Sequence, residues 1–233
     1  MNARHIITFV ALAMVGATSV QAQDSARVAD QDPVSGWDMS AAILGFLYTD
    51  TIALWNPSFT VDRGHLHLEA RYQWEDWRTA SVWAGRNFEF GEKVAVSITP
   101  MAGLVFGYVN GAAPGYLIEA EWKSLYFYSS SEYVFDFSGS ESNFAYTWNE
   151  LSVDLDHLQF GIVIQRLRPF QSELDVQKGM MLMREQGKFL FGLYLFNLGW
   201  TDPTVVLNLA YSFDVKARSA RGRGSASTPV VPR

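Results

Sequence analysis

The sequence predicts an all-β fold: a single closed antiparallel β-barrel of about twelve strands that spans a membrane. The first observation is the run from His65 to Trp74, where polar and apolar residues alternate over the roughly 9–11 positions that a tilted membrane-spanning strand needs. Similar alternation recurs along the chain. A soluble β-sandwich also alternates, but burying so many aromatic-rich faces would require a core larger than 233 residues can enclose.

The first 22 residues have the pattern of a secretory signal peptide. A basic start precedes an apolar run over residues 6–15, and small residues before Ala22 predict cleavage after that residue. The run is shorter than the ~20 residues of a spanning helix, which disfavours the alternative of a membrane anchor. Residues 23–36 are small and polar and are predicted to be unstructured, and the barrel is predicted over residues 37–213.

From residue 37 the chain divides into strand-like segments separated by short turn signals. In a bacterial outer-membrane barrel, an even strand count places both termini on the periplasmic side, with short turns there and longer loops outside. The predicted connections follow this asymmetry, so both termini are expected to be periplasmic. Ten strands are the alternative, because the first two segments alternate least regularly. The twelve predicted strands are 37–48, 52–61, 65–74, 78–90, 93–106, 114–123, 125–136, 143–153, 157–166, 176–184, 188–198 and 203–213.

One predicted strand, within Gly187 to Gly199, is apolar on both faces. Phe189 and Phe191 fall on one face, and Tyr194 and Phe196 fall on the other. The favoured interpretation is that the inward face packs against residues inside the barrel. An oligomer interface is the alternative, which leaves weak homo-oligomerisation open. Flexible side chains suited to such packing lie nearby: Met180, Met181 and Met183.

The last predicted strand, PTVVLNLAYSF, ends in alternating apolar positions that include Tyr211 and Phe213. This pattern resembles the C-terminal β-signal by which bacterial outer-membrane proteins reach their assembly machinery, and the two aromatics are assigned to it. More broadly, DRGHLHLEARYQWED, TPMAGLVFGYVNGAAPG, SSSEYVFDF and NFAYTWNEL resemble segments of small, largely uncharacterised Gram-negative outer-membrane barrels. The resemblance covers residues 37–213 and implies the fold and an outer-membrane location. It supplies no substrate or site residue.

The predicted lumen is acidic. Residues 23–213 carry 12 basic and 23 acidic residues, a net charge of −11. Because an acidic lumen attracts cations, the preferred hypothesis is a narrow passive channel for small, preferably cationic, solutes. The alternative is a structural or interaction barrel whose interior is filled by salt-bridged side chains and conducts nothing. The residues predicted to line the lumen are Glu69, Arg71, Glu119, Glu121, Lys123, Glu132 and Asp136.

Three histidines of the mature chain raise two further hypotheses. His65 and His67 with Glu69 nearby have the chemistry of a metal site, although two histidines on one strand are a weak signal. A lipid-directed hydrolase would use a serine with His67 or His157, yet no nucleophile motif occurs in the sequence. The absence of cysteine excludes thiol catalysis and disulfides. We therefore assign no catalytic, metal-binding or cofactor-binding residue and expect no cofactor.

Residues 214–233 are predicted to form a disordered basic tail in the periplasm, because charged, Gly, Ser and Pro residues occur without periodic apolar positions. The spacing in RSARGRG resembles a nucleic-acid-binding segment, but solvation or contact with anionic lipid is the preferred interpretation at this location. No nucleic-acid partner is expected. The expected partners are outer-membrane lipids, the barrel-assembly machinery and unidentified small solutes.

Overall fold

The structure, a computed structural model, describes residues 36–48, 54–169, 175–199 and 203–216. The predicted signal peptide lies outside these residues. Among the described residues, no helix is long and apolar enough to cross a membrane. The strands are β1 Gly36–Leu47, β2 Leu54–Arg63, β3 Leu66–Tyr72, β4 Thr79–Arg86, β5 Phe88–Phe90, β6 Ala95–Gly107, β7 Gly111–Trp122, β8 Leu125–Asp136, β9 Phe144–Leu155, β10 Leu158–Pro169, β11 Asp175–Gln186, β12 Phe189–Phe196 and β13 Thr204–Lys216.

The strands form one closed antiparallel barrel. Apart from β4 and β5, strands that follow one another in the chain are neighbours around the wall, and β1 pairs with β13 from Gly36 opposite Lys216 to Leu47 opposite Val205. Both β4 and β5 pair with β6, so the thirteen strands occupy twelve positions in the wall. Closure removes the unpaired sheet edges that a bilayer could not tolerate. The predicted fold class and strand count are confirmed.

The predicted fourth strand is divided at Asn87 into β4 and β5. Pro100 of β6 lies beside this point of the ladder and has no backbone N–H to donate. On the side of β3, the backbone N–H of Asn87 donates to the carbonyl of His65 at 2.9 Å and continues the ladder between β3 and β4. The Asn87 side chain donates to Asp62 at 2.9 Å and accepts from Thr99 at 2.7 Å. These bonds hold β5 in the wall despite the break.

The outer face of the wall is apolar, as the alternation predicts. On β3, Leu66, Leu68 and Tyr72 are exposed on the outside, whereas His67 and Arg71 are buried on the inside. Monomeric soluble proteins rarely expose apolar patches that continue around the molecule. The outer face therefore has the character of a surface that contacts lipid hydrocarbon.

The third strand ends earlier than predicted, at Tyr72. Gln73 adopts a left-handed φ of 59°, and its N–H donates to the carbonyl of Thr79 at 2.7 Å, which closes the loop 73–78. The alternation is broken at this point. Trp74, predicted on the lipid face, instead packs against the buried cluster inside the barrel. This part of the prediction was wrong because sequence periodicity cannot register a reversal of the backbone at a single residue.

Aromatic rings surround the rim at which β1 begins and β13 ends, here called the terminal rim. Phe189 and Tyr211 have ring centroids 4.8 Å apart, and Phe213 lies 5.9 Å from both Tyr211 and Phe59. Such rings are typical of a barrel at a membrane–water interface. The assignment of Tyr211 and Phe213 to an assembly signal stays a prediction.

The end of β13 revises one predicted boundary. This strand continues past Phe213 to Lys216, which pairs with Gly36 of β1. Residues 214–216 were predicted to belong to the basic tail but are part of the wall, because backbone pairing with β1 does not depend on apolar side chains. Residues 217–233 lie outside the described residues.

Side chains fill the part of the barrel furthest from the terminal rim. The inward face of β12 supplies Tyr194 and Phe196, which are 4% and 0% exposed. This agrees with the prediction that the inward face of this strand packs against residues inside the barrel. Met181 and Met183 pack beside them. Met180, grouped with them in the prediction, lies on the outer face and is 43% exposed, because successive strand residues point to opposite faces.

A glycine on β6 makes room for a buried tryptophan. A Cβ added at Gly103 would lie 2.5 Å from Cδ2 of Trp83, whose side chain is only 3% exposed. We expect Gly103→Ala to lower the free energy of unfolding by about 1–3 kcal/mol through overpacking. Urea titration of the refolded barrel in lipid vesicles measures this change. In a Trp83→Leu background the same alanine should be tolerated, and an undiminished loss there would show that the ring is not the cause.

Candidate functional site

Two adjacent cavities occupy the barrel interior near the terminal rim, and together they form what we call the acidic vestibule. The deep cavity has a volume of about 440 Å³ and extends from the turn residues Lys123 and His157 to Trp148. The side cavity has a volume of about 530 Å³ and lies against β2, β3 and β6. Both cavities share one wall formed by inward residues of β7 and β8: Glu119, Glu121, Tyr126 and Tyr128.

The lining of the vestibule is strongly acidic. Of the described residues that line the two cavities, nine are acidic and one is a lysine, and two histidines complete the set of titratable side chains other than tyrosine. A concave surface lined by one sign of charge within low-dielectric walls focuses the electrostatic potential. The vestibule is therefore expected to have a negative electrostatic potential. Its acidic residues are Asp62, Glu69, Glu89, Glu119, Glu121, Glu150, Asp154, Asp156 and Glu185.

Arg71 crosses the lumen beside the side cavity, further from the terminal rim than Glu69. One guanidinium nitrogen donates to Glu132 of β8 at 2.8 Å, and the other donates to Glu69 at 2.7 Å. Because β3 and β8 are separated by β4, β6 and β7, the bond to Glu132 spans the interior and does not follow the wall. The side chains of Arg71 and Glu132 are 4% and 1% exposed. The ion pair is thus a fixed bar across the barrel.

A loop folds into the barrel beside this bar. Glu75, from the loop 73–78, is buried and accepts hydrogen bonds from the hydroxyl of Ser81 and the indole N–H of Trp83. The guanidinium carbon of Arg71 lies 4.8 Å from the centroid of the Trp83 ring and 5.6 Å from that of Trp74. Stacking on both rings adds cation–π attraction to the ion pairs and fixes the position of the arginine.

The far end of the deep cavity is aromatic and encloses a carboxylate. Oε1 of Glu150 accepts hydrogen bonds from the indole N–H of Trp148 and the hydroxyl of Tyr194, both at 2.7 Å. The two rings meet edge to face with centroids 5.1 Å apart. Glu150 is 7% exposed, and no ion pair among the described residues includes it.

The residues predicted to line the lumen have different surroundings. Glu119 and Glu121 face both cavities. Lys123 lies in the turn after β7 at the mouth of the deep cavity, with its ammonium 5.1 Å from the centroid of Trp122. Asp136 lines neither cavity: its carboxylate accepts hydrogen bonds from the backbone and hydroxyl of Ser138 and fixes the loop after β8. As described above, Glu69 and Glu132 are paired with Arg71.

The histidines do not lie together as the metal hypothesis required. His65 is exposed in the turn before β3, where its ring contacts the carbonyl of Asn87 at 3.1 Å. His67 is buried, and its Nδ1 lies 2.9 Å from Oδ1 of Asp62. Among the described residues, no group of three or more His, Asp or Glu side chains is arranged to hold a metal ion. The hydrogen bonds of His67 run to carboxylate and not to a serine hydroxyl.

Several residues in and beside the vestibule were not predicted from the sequence. Glu150 lies on the inward phase of β9, so the alternation of that strand was a signal that could have identified it. Glu75 and Trp74 follow the left-handed residue Gln73, and periodicity provided no signal for either. Their positions depend on how the loop 73–78 folds into the lumen.

A closed barrel with an apolar outer face and a polar, charged interior defines the class: an integral outer-membrane β-barrel. Comparisons with solved structures agree with this fold. A KdgM porin superposes with a TM-score of 0.54 at 11% sequence identity, over 75% of this chain and 99% of that chain. The KdgM porin in complex with disordered oligogalacturonate gives 0.54 at 13%, with the same coverage.

A looser superposition is obtained with the outer membrane protein opdK from Pseudomonas aeruginosa. Its TM-score is 0.42 at 6% identity, over 77% of this chain and 99% of that chain. No protein-family model matches the sequence, and no curated protein matches it either.

Proposed function

We propose that the protein is a narrow passive channel of the outer membrane that admits small, preferably cationic, solutes. The acidic vestibule carries this proposal, because a solute that enters from the terminal rim meets nine carboxylates and one lysine. Carboxylates that line a pore favour cations. The porin-like barrel fold is consistent with a channel and supplies no information on solutes. With both termini in the periplasm, as we expect, the vestibule opens on that side.

Within this proposal the pairing of Arg71 with Glu132 across the lumen limits the route. The side chains of Arg71, Glu69 and Glu132 together carry a net charge of about −1, so the guanidinium offsets part of the attraction that the two carboxylates exert on a cation. The residues that attract cations and the residue that limits their passage thus lie at different depths along the barrel axis. Glu119 and Glu121 attract cations near the mouth, and Arg71 limits passage further in.

A non-conducting structural barrel is the second candidate, and the packing beyond Arg71 favours it. The inward side chains of Val134, Val163, Phe196 and Val206 are each 0% exposed. Small barrels filled in this way need not conduct. The two functions differ in one measurable property, the passage of ions.

Single-channel recording of the refolded protein in a planar bilayer, under a salt gradient, tests the channel. The expected result is discrete steps of current with a reversal potential that indicates cation preference. Folding is confirmed in parallel by the heat-modifiable electrophoretic mobility of the barrel. A folded protein that produces no current would reject the channel and favour the structural barrel.

The preference for cations should depend on the shared wall of the vestibule. We expect the double substitution Glu119→Gln and Glu121→Gln to lower the cation-to-anion permeability ratio at least about twofold, because two charges are lost from both cavities. Reversal potentials under a salt gradient measure the ratio. Glu92→Gln, in an exposed turn that lines neither cavity, is the control for the loss of a carboxylate outside the vestibule. An unchanged ratio in the double variant would remove the shared wall from the mechanism.

A further inference from the structure

We propose that the far end of the deep cavity is a binding site for an organic ammonium group, with Glu150 as its counter-charge and aromatic rings as its walls. This inference deepens the proposed function by naming the class of solute, and it rests on that function only for the route by which the solute arrives. The site combines a buried carboxylate, the enclosing aromatic rings and a cavity large enough for a ligand.

The first observation is that Glu150 is buried without a cationic partner among the described residues. A carboxylate that is 7% exposed ordinarily has a cationic partner, because burial of a single charge is costly. Here the hydrogen bonds from Trp148 and Tyr194 orient one carboxylate oxygen, but both donors are neutral. No ion pair of the described residues reaches this group. A cation bound in the adjoining cavity would supply the missing charge.

The second observation is the chemistry of the walls around this carboxylate. Aromatic side chains from four strands or loops line the deep cavity, which is the environment that favours organic ammonium groups through cation–π attraction. The volume of about 440 Å³ exceeds what a bare metal ion requires. The aromatic residues lining this cavity are Trp74, Tyr126, Tyr128, Tyr146, Trp148 and Tyr194.

The third observation is an acceptor with no donor. Asn208, on β13, lines the same cavity, and its Oδ1 is buried without a hydrogen-bond partner among the described residues. A buried acceptor left unpaired is unfavourable, typically by about 1–3 kcal/mol. A polar hydrogen of an ammonium ligand, or of a hydroxyl attached to it, would satisfy this oxygen. Glu119, Glu121 and Asp154 lie along the same cavity and would draw the cation inward.

Choline is a suitable probe because 3,3-dimethylbutan-1-ol has the same shape and no charge. Calorimetric titration of the full chain, refolded in detergent, should show saturable choline binding and at least about tenfold weaker binding of the neutral alcohol. Glu150→Gln should lower choline affinity at least about tenfold, and the control Glu92→Gln should leave it within about twofold. Equal binding of the two probes, or unchanged affinity of the Glu150→Gln protein, would overturn the proposal.

Glu150→Asp provides a second test if the glutamine variant fails to show the heat-modifiable mobility of a folded barrel. Aspartate keeps the negative charge, but its carboxylate lies one methylene closer to the backbone, so choline affinity should fall severalfold. An unchanged affinity would count against the site. Glu150-dependent choline binding by a protein that passes no current would overturn only the channel. Cation-selective current without Glu150-dependent binding would overturn only this site.

Discussion

Replacing Arg71 with methionine should lower the free energy of unfolding of the barrel by about 3–5 kcal/mol. Methionine keeps much of the length and apolar stem of arginine but lacks the positive charge. In the natural protein that charge pairs with the partly buried Glu69 at 2.7 Å and the buried Glu132 at 2.8 Å. The penalty arises from the unpaired carboxylates more than from the lost attraction. Equilibrium urea unfolding in lipid vesicles, followed by tryptophan fluorescence, measures it.

A double variant separates these contributions. Adding Glu132→Gln to Arg71→Met removes one of the two stranded charges, and we expect recovery of about half of the lost stability. In bilayer recordings the Arg71→Met protein should conduct cations at least about twofold better, because the guanidinium charge that offsets the two carboxylates is gone. A stability within about 1 kcal/mol of the natural protein would contradict the role of Arg71 as a structural bar. An unchanged conductance would show that Arg71 does not limit the route.

The second large effect is expected on the lipid face. Ile162, in the middle of β10, is 52% exposed on the outside of the barrel, between Leu151 and Met180 of the neighbouring strands. Ile162→Arg would place a cation in the hydrocarbon layer and should lower the free energy of unfolding by about 2–4 kcal/mol. The same urea titration in vesicles measures this change.

Leu155→Arg is the matched control for depth. Leu155 is also outside the barrel and is 62% exposed, but it ends β9 at the terminal rim. There the arginine reaches lipid headgroups and water, so the expected loss is only about 0–1 kcal/mol. Equal losses for the two variants would show that Ile162 does not contact the hydrocarbon interior.

Strand alternation carried most of the fold prediction. The run around Leu66 and Leu68 identified a membrane strand because the side-chain period of two is fixed by backbone geometry. Repetition of that pattern then determined the class, since many strands with one apolar face can be satisfied together only by a closed barrel in lipid. The prediction failed at Trp74 and at Asn87, where a left-handed residue and a proline on the adjacent strand interrupt the regular ladder.

The strand pattern alone predicts the barrel, its approximate strand count, its outer face and the excess of acidic residues inside. Which of those acids are paired with a cation depends on contacts across the lumen. Arg71 and Glu132 are 61 positions apart in the chain, and Glu150 and Tyr194 are 44 apart, so strand periodicity could not bring either pair together. A strand pattern specifies the face on which a side chain lies. The partner that it meets across the lumen depends on the closure and radius of the whole barrel.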